Sequence, residues 1–385
     1  CDWSSDVCSS DLTEVFGRTP DLARVVKARD FNGDGRVDVF VGTTYQTQSR
    51  LYLTDGSGGF VERTASHLPA VLLSVGDAEP GDVDGDGDLD LVLADWGPGN
   101  NMSNAGGRVR LWLNDGAGHF ADATVARLPD ELVRFSWDLE LVDVDNDFDL
   151  DVLVSCKRCG GGSLYRNDGS GTFAADPRGL PQYTNNYEYE AMDLDGDGFL
   201  DLVTVNDGEI VGGVGSSRRE HVLRNDGKGR YLDVTDAWWP DRENIGEDDN
   251  VVAFLDVDSD GDADFVIGSL SGPDRLLLND GKGHLRTAND VFVGDKTPGT
   301  LGLALGDLDG DGRMDVVQGQ GEALRMPAGQ GRQLRQLMAQ FVRTLQAEIP
   351  RRLSAPDFKA EQERITHRYK SEEDRAYEEL SAFAE

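Results

Sequence analysis

Acidic residues at alternate positions form the clearest chemical pattern in the sequence. In residues 82–90, carboxylates occupy positions 1, 3, 5 and 9, and glycine occupies position 6. Carboxylates spaced in this way on a tight loop turn towards one point, where a hard cation relieves their mutual repulsion. Calcium accepts about six to eight oxygens, and such a loop offers side chains from positions 1, 3, 5 and 9 and a backbone carbonyl from position 7. The pattern therefore predicts a calcium-binding loop.

The same loop occurs six times, so we predict up to six calcium ions. Successive copies begin 52, 61, 50, 63 and 51 residues apart. The predicted ligands occupy positions 1, 3, 5, 7 and 9 of the loops, with position 7 acting through its carbonyl: Asp30, Asn32, Asp34, Arg36 and Asp38; Asp82, Asp84, Asp86, Asp88 and Asp90; Asp143, Asp145, Asp147, Asp149 and Asp151; Asp193, Asp195, Asp197, Phe199 and Asp201; Asp256, Asp258, Asp260, Asp262 and Asp264; Asp307, Asp309, Asp311, Arg313 and Asp315.

Two loops depart from the pattern. Asn32 stands at position 3 of the first loop, where its amide oxygen is still a donor to calcium. Phe148 stands at position 6 of the third loop, where the sharp turn favours glycine. We therefore expect the third loop to be the weakest site.

The loops are not EF-hands, because an EF-hand needs a bidentate Glu at position 12 and flanking helices. Position 12 of the second loop is Leu93, and no copy carries an acid there. The residues that follow position 9 are β-rich runs such as Leu91-Val92-Leu93. Each loop is therefore predicted to lead into a buried strand.

A second motif follows each of the first five loops: apolar residues, then Asn or Thr, then Asp-Gly-x-Gly. Asn-Asp-Gly between apolar residues is a hairpin-turn signal. An aromatic residue opens a further short strand after the first four turns, at Phe60, Phe120, Phe173 and Tyr231. Two hairpins per unit and a period near 50 residues favour a β-propeller. We predict an all-β propeller of four-stranded antiparallel blades, six or seven in number.

These units resemble FG-GAP/VCBS repeats, the blades of integrin-α-like calcium-binding propellers. The resemblance covers about residues 13–320 and rests on the six loops and five turns. It implies calcium on the hairpin loop of each blade. It also implies an extracellular or cell-surface protein used for adhesion, ligand binding or scaffolding.

Charge narrows the choice of partners. The 385 residues include 72 acids and 37 bases, a net charge of −35. Phosphate groups would be repelled, so nucleic acid and anionic membranes are disfavoured. No apolar run approaches the roughly 18 residues of a spanning helix, so membrane insertion is not expected. We expect a monomer that binds a protein or carbohydrate ligand at the propeller face.

Both ends differ from the repeats. Residues 1–12 resemble a translated sequencing adapter, so we expect a non-native leader there. Residues 13–19 resemble a fourth strand that would complete a ring of six blades, or remain from a seventh. Residues 321–385 have helical periodicity and resemble the N-terminal region of LonB-type ATP-dependent proteases, through Leu-Arg-Met-Pro-Ala-Gly-Gln-Gly at 324–331 and Ala-Glu-Ile-Pro at 347–350. This tail is either a joined open reading frame or a native helical appendage.

Cys156 and Cys159 are predicted to form a loop disulfide or to remain idle thiols. A structural zinc site needs a second pair of ligands at suitable spacing, and none lies nearby in the sequence.

Catalysis has little sequence support. The five histidines show no catalytic spacing, and G-x-S-x-G, H-E-x-x-H and P-loop motifs are missing. One open constellation lies five residues before three of the Asp loops: Asp77, Asp138 and Glu188, with Trp137, Tyr187 and Tyr189 beside them. It is either a solvated channel rim or a carbohydrate or cation site at the propeller mouth.

We therefore predict an extracellular or cell-surface calcium-binding propeller that acts as a ligand-binding or adhesion module and is not an enzyme. The first alternative is a propeller enzyme acting on polysaccharide, as a hydrolase or lyase. The second is a fragment fused to part of a Lon-like protease.

Overall fold

The computed structural model describes residues 23–57, 59–98, 105–157, 159–183, 186–206, 209–211, 214–216, 219–240, 244, 249–270, 272–288, 299–306 and 314–320. Residues 1–19, the tail 321–385 and most of the sixth Asp loop, including Asp307, Asp309, Asp311 and Arg313, lie outside these ranges. The predictions made for those segments stay predictions, as does the choice between six and seven blades.

The β-rich runs on either side of each Asp loop pair as antiparallel hairpins, which extend into four-stranded sheets. The described residues contain five such blades and two strands of a sixth. Blade 1 contains β1 (Ala23–Arg29), β2 (Asp38–Thr43), β3 (Arg50–Thr54) and β4 (Phe60–Glu62). Blade 2 contains β5 (Val75–Gly81), β6 (Asp90–Asp95), β7 (Val109–Asn114) and β8 (Phe120–Asp122). Blade 3 contains β9 (Ser136–Val142), β10 (Asp151–Cys156), β11 (Ser163–Asn167) and β12 (Phe173–Ala175).

The remaining blades follow the same plan. Blade 4 contains β13 (Asn186–Met192), β14 (Asp201–Asn206), β17 (Val222–Asn225) and β18 (Tyr231–Asp233), with the two-stranded hairpin β15 (Glu209–Val211) and β16 (Val214–Ser216) inserted between its second and third strands. Blade 5 contains β19 (Asp249–Leu255), β20 (Asp264–Ser269), β21 (Arg275–Leu278) and β22 (Arg286–Ala288), and the sixth sheet pairs β23 (Thr300–Gly306) with β24 (Asp315–Gln320). The predicted fold of four-stranded antiparallel blades is confirmed.

Single-turn helices follow the fourth strand in three blades: α1 (Thr64–His67), α2 (Thr124–Arg127) and α3 (Thr235–Trp238). They are too short to show a 3.6-residue period, so the sequence pattern does not reveal them. Among the described residues, no helix is long and apolar enough to cross a membrane.

The first strands of consecutive blades lie side by side, from β1 through β5, β9, β13 and β19 to β23. They therefore form the inner layer of the propeller. Each carries a register shift near its start, for example between Val75 and Asp77 in blade 2 and between Asn186 and Glu188 in blade 4. A bulge of this kind turns the side chain of the skipped residue in a new direction.

Apolar side chains fill the space between neighbouring blades. Trp112 of blade 2 is fully buried, and its ring meets Phe40 of blade 1 edge to face with centroids 6.2 Å apart. Aromatic pairs in this geometry contribute about 0.5–1.5 kcal/mol beyond the area that they bury. Each Asp loop is therefore carried on a hairpin whose sides are packed against the next blade.

Candidate metal centres

Carboxylates at positions 1, 3 and 5 converge in four of the predicted loops. In each of these groups the ligand atoms lie within 4.8 Å of one another: Asp82, Asp84 and Asp86; Asp143, Asp145 and Asp147; Asp193, Asp195 and Asp197; Asp256, Asp258 and Asp260. In the first loop, the backbone N–H of Asp34 donates to oxygens of both Asp30 and Asn32 at 3.1 Å, so the same three positions meet there. The side chains predicted as ligands at positions 1, 3 and 5 therefore lie close together in these loops.

In the five loops that the structure describes, the backbone forms this cup through left-handed residues at positions 4 and 6. The φ angles at position 6 are +96° for Gly87 and +74° for Phe148. The N–H at this position donates to the position 1 carboxylate, at 3.0 Å from Gly87 to Asp82 and at 2.9 Å from Phe148 to Asp143. The third loop therefore keeps the common geometry, at the cost of holding a bulky residue where glycine is favoured.

The aspartates at position 9 are buried at the base of the loop. Asp90 Oδ2 accepts the N–H of Val83 at 3.2 Å, and its Oδ1 accepts the N–H of Asn114 at 2.9 Å. Burial raises the pKa of Asp90 to about 7. The equivalent residues make the same pair of contacts: Asp38, Asp151, Asp201 and Asp264. Position 9 thus closes the loop and ties it to the third strand of its blade.

The residues present fit a hard cation such as calcium. Asp84 Oδ1 and Asp145 Oδ1, both at position 3, are shielded from water and have no hydrogen-bond partner. Burial, and then the charge of Asp86, raise the pKa of Asp84. A buried carboxylate oxygen without a partner is costly unless a cation meets it. An all-oxygen donor set suits calcium rather than a soft metal.

The side chain at position 7 faces the Asp-Gly turn of the same blade. A Cβ on Gly116 would lie only 2.5 Å from Asp88 Oδ2, and a Cβ on Gly169 would lie 2.5 Å from Asp149 Oδ2. These carboxylates therefore pack against the turn glycines. The predicted ligand at position 7 remains the backbone carbonyl.

Sequence reasoning missed the residue that joins each loop to the next blade. The Asn before each Asp-Gly turn donates its side-chain amide to the position 2 carbonyl of the preceding blade's loop. The donors and acceptors are Asn114 and Phe31 at 2.8 Å, Asn167 and Val83 at 2.7 Å, Asn225 and Val144 at 2.8 Å, and Asn279 and Leu194 at 2.9 Å. The Asn does recur in the sequence before each of these turns. Its known preference for hairpin turns already explained that recurrence, so a contact with the preceding blade's loop was not expected.

An aromatic cluster lies at the opposite ends of the strands. It consists of Trp96, Phe135, Trp137 and Tyr187, with ring centroids 4.7 Å apart for Trp96 and Phe135 and 5.3 Å apart for Trp137 and Tyr187. Trp96 follows β6, whereas the Asp loop precedes that strand. The cluster and the calcium loops therefore belong to opposite faces of the propeller.

Two cations cover this aromatic cluster. The Arg24 guanidinium lies 3.6 Å from the Trp137 ring centroid, and the Lys157 ammonium lies 4.0 Å from the centroids of both Trp137 and Tyr187. Trp137 and Tyr187 are nearly buried, and Lys157 is half-buried. Of the aromatic residues singled out from the sequence, Tyr189 is elsewhere, in the core between blades 3 and 4.

The predicted carboxylates Asp77, Asp138 and Glu188 lie on the adjacent inner strands β5, β9 and β13 and are buried. Lys27 Nζ lies 2.6 Å from Glu79 Oε1 and 3.6 Å from Asp77 Oδ1, so part of this acidic wall is neutralised internally. The structure therefore replaces the picture of a solvated rim by one of buried, partly paired carboxylates.

Cys156 and Cys159 are joined by a disulfide at the end of β10. Of the alternatives left open by the sequence, the structure has the loop disulfide.

The chain belongs to the FG-GAP-like repeat family. The family model matches residues 30–93, 82–154, 143–204 and 256–317, each of which begins at the Asp loop of one blade and ends in the second strand of the next. No curated protein matches the chain.

Solved structures of similar fold include three propeller-like proteins. One is an Agrocybe aegerita lectin whose structure shows specific recognition of non-reducing terminal N-acetylglucosamine. It is 17% identical to this chain, with a TM-score of 0.49, and the match covers 80% of this chain and 76% of that chain. The second is Trypanosoma rangeli sialidase in complex with sialic acid, with 12% identity, a TM-score of 0.44 and coverage of 86% and 57%. The third is a candidate exo-beta-1,3-galactanase from Bifidobacterium bifidum s17, with 10% identity, a TM-score of 0.37 and coverage of 72% and 95%.

These likenesses concern the fold alone, but they correct one prediction. The sequence-based statement that the chain is not an enzyme is wrong in its premise, because the proteins of similar fold include a sialidase and a galactanase.

Proposed function

We propose that this chain is a calcium-stabilised β-propeller that binds a ligand outside the cell. The observation that carries the calcium assignment is the convergence of the carboxylates at positions 1, 3 and 5 in four separate loops. When bound, calcium would supply the positive charge that these carboxylates lack. The chain's own residues pre-form each cup through the left-handed backbone and tie it to the third strand through the buried position 9 aspartate.

The position of the loops explains what calcium would stabilise. Each loop lies between its own Asp-Gly turn and that of the next blade, to which the Asn amide connects it. A loop held in its folded geometry therefore holds two blades in register. This matters because four short strands bury little surface of their own.

Calcium titration with the full chain tests this part of the proposal. Isothermal calorimetry after chelator treatment should detect several bound ions. Asp84→Asn combined with Asp86→Asn should remove one of them, because both residues belong to the second loop. Asp122→Asn is the matched control, since this exposed carboxylate lies outside the loops. Equal stoichiometry in the loop variant and the control would contradict the assignment.

For the ligand, we propose a carbohydrate or protein at the face that carries the aromatic cluster. Aromatic rings and nearby charged groups are the usual means by which proteins bind polar ligands with apolar faces. Here the Lys157 ammonium lies 4.0 Å from the ring centroids of both Trp137 and Tyr187. The disulfide between Cys156 and Cys159 lies beside this face and favours an oxidising, extracellular location.

Lys157→Glu tests this face with little risk to the core, because the side chain is half-buried at the rim. Glycan arrays and pull-down from extracellular matrix should show binding by the parent chain and loss in the variant. Lys228→Glu, in an exposed turn next to the calcium loops, is the control and should bind normally. Equal binding by both variants would place the ligand elsewhere.

A second candidate is an enzyme that acts on polysaccharide. The observation in its favour is the set of buried carboxylates on adjacent inner strands, since enzymes that cleave glycosidic bonds use a pair of carboxyl groups. Asp138→Asn and Glu188→Gln would then abolish turnover of glycan substrates while leaving the melting temperature close to that of the parent. Retained binding without turnover in the parent chain would favour the binding module.

A further inference from the structure

The calcium loops differ in one residue that lies outside them. The side chain immediately before the Asn or Thr of the turn motif is Leu53, Leu113, Arg166, Arg224 and Leu278 in blades 1 to 5. This residue is on the third strand, next to the loop of the same blade. Blades 3 and 4 therefore carry a cation where the other three carry an aliphatic side chain.

Arg224 reaches directly into the fourth loop. Its Nε donates to Asp195 Oδ2 at 2.5 Å and its Nη2 donates to Asp197 Oδ2 at 2.6 Å. Asp195 and Asp197 are positions 3 and 5 of that loop, and their other oxygens accept backbone N–H groups of the loop. The guanidinium thus occupies an oxygen of two of the three convergent carboxylates. The contact also raises the pKa of Arg224, chiefly through the hydrogen bond to Asp195.

Arg166 plays the equivalent part in the third loop. Its Nη1 lies 3.0 Å from Asp145 Oδ2 and 3.5 Å from Asp151 Oδ2, at positions 3 and 9. It also donates to the carbonyl of Gly229 in the next blade and lies 3.5 Å from Asp176. The guanidinium therefore links the loop, its own blade and the following blade.

The second and fifth loops have no such contact among the described residues. Asp84 Oδ1 of the second loop and Asp145 Oδ1 of the third are both buried without a hydrogen-bond partner, but only in the third loop does a guanidinium contact the other oxygen of the same carboxylate. Burial raises the pKa of Asp84, and Arg127 opposes this rise only in part. The Arg127 guanidinium donates to the carbonyl of Ser170. In the first loop, Arg36 lies 3.3 Å from Asp34, but this pair is largely exposed and contributes little.

We propose that the calcium sites fall into two classes. In the third and fourth loops, the guanidinium groups of Arg166 and Arg224 hold the carboxylates and compete with calcium. The second and fifth loops depend on calcium alone. This inference rests on the proposed calcium function. A tethered cation costs no loss of translational freedom on binding, and charge-assisted hydrogen bonds are the stronger kind. Calcium must displace or share these contacts in blades 3 and 4, so its affinity there is lower by about tenfold.

The arginines would therefore keep one side of the propeller ordered when calcium is scarce. Blades 3 and 4 are adjacent, and Asn225 of blade 4 donates to the third loop at Val144. The two arginine-held loops thus form one continuous unit. As calcium falls, the blades on either side of this unit would lose their order first.

The test uses the full chain and the double variant Arg166→Leu and Arg224→Leu, which copies the aliphatic residue of the other blades. Calcium calorimetry should resolve two affinity classes in the parent. In the double variant the weaker class should tighten by about tenfold. Its melting temperature should fall in chelator and recover with calcium, so that the gain on adding calcium becomes larger than in the parent.

The mirror variant Leu113→Arg keeps the inference falsifiable if the double variant does not fold without calcium. Leu113 is only partly buried, so an arginine can be placed there. This variant should raise the melting temperature in chelator and move one tight site into the weaker class. Arg224→Lys keeps the charge but loses the two-point contact. Its calcium affinity and its melting temperature in chelator should lie between those of the parent and of Arg224→Leu.

The outcomes separate this inference from the calcium proposal. If the parent binds calcium but the isotherms and melting shifts of the arginine variants and Leu113→Arg equal those of the parent, the two-class inference is overturned and the calcium proposal stands. If no chain in the series responds to calcium, both are overturned.

Discussion

The side-chain amide of Asn225 donates to the carbonyl of Val144, 81 residues earlier in the chain, at 2.8 Å. Asn225 belongs to the turn of blade 4, and Val144 is the second residue of the calcium loop in blade 3. The same amide donates to Leu200 in its own loop at 3.2 Å, and its oxygen accepts the N–H groups of Gly227 and Gly229. One buried side chain thus ties together its own turn, its own loop and the preceding loop.

Asn225→Ala should destabilise the chain by about 2–3 kcal/mol, because it leaves buried backbone groups without partners. Urea unfolding followed by tryptophan fluorescence measures this loss. Asn225→Asp keeps the acceptor oxygen but loses the amide donor. Its free energy of unfolding should lie between those of the parent and Asn225→Ala, or below both if the new charge is unpaired. Lys228→Ala, in the exposed part of the same turn, is the control and should change stability by less than about 0.5 kcal/mol. A small loss for Asn225→Ala would show that the connection between blades does not depend on this amide.

Phe148→Gly should stabilise the chain by roughly 0.5–1 kcal/mol. Phe148 has φ of +74° and is 93% exposed, so the substitution relieves backbone strain and loses no packing. The converse substitution Gly87→Ala, at the same position of the second loop, should destabilise by a similar amount, because a Cβ there meets no atom within 4 Å and only the φ of +96° opposes it. Thermal unfolding of the two variants and the parent measures the predicted gain in stability for Phe148→Gly and the predicted loss for Gly87→Ala. A stabilising Gly87→Ala would contradict the explanation.

His221 should contribute a loss of stability as the pH drops from about 6.5 to about 4, opposite in sign to the contribution of buried carboxylates such as Asp90. Burial lowers the pKa of His221 to about 4, and its ring stacks on Tyr183 with centroids 3.6 Å apart. The unfolded chain, with an ordinary histidine pKa near 6.5, binds the proton more readily than the folded one, so protonation favours unfolding throughout this window. Above about pH 6.5 the effect disappears.

Melting temperatures at pH 7.5 and 4.5 for His221→Gln and the parent measure this linkage. The variant should lose less stability on acidification than the parent, by roughly 2–3 kcal/mol at most. His284→Gln is the control for removal of an exposed histidine. A parent and a His221→Gln variant with the same pH slope would rule out His221 as the cause.

The blade plan could be predicted from the sequence because it repeats. The Asp loop and the Asp-Gly turn each specify one hairpin by local chemistry, and their alternation gives four strands in order, as found from β1 to β4. The carboxylates at positions 1, 3 and 5 lie close together in four of the loops.

The contacts between blades could not be predicted in the same way, because they join residues far apart in the chain. The link between Asn225 and Val144 and the guanidinium contacts of Arg224 depend on how adjacent blades and strands are placed. Periodicity gives the strands but not these placements. Likewise, the aromatic cluster gathers Trp96, Phe135 and Tyr187 from three blades, and each alone looks like an ordinary core residue.

The most direct test of the calcium assignment is the melting temperature of the full chain in excess calcium and in excess chelator at pH 7.5, with magnesium as the control ion. A single site filled at 100 times its dissociation constant adds about 2.7 kcal/mol to the free energy of unfolding, and several sites add more. We expect a rise of many degrees with calcium and a much smaller one with magnesium, which prefers a tighter octahedral site. An identical melting temperature in calcium and in chelator would contradict the proposal that these loops hold the propeller together through calcium.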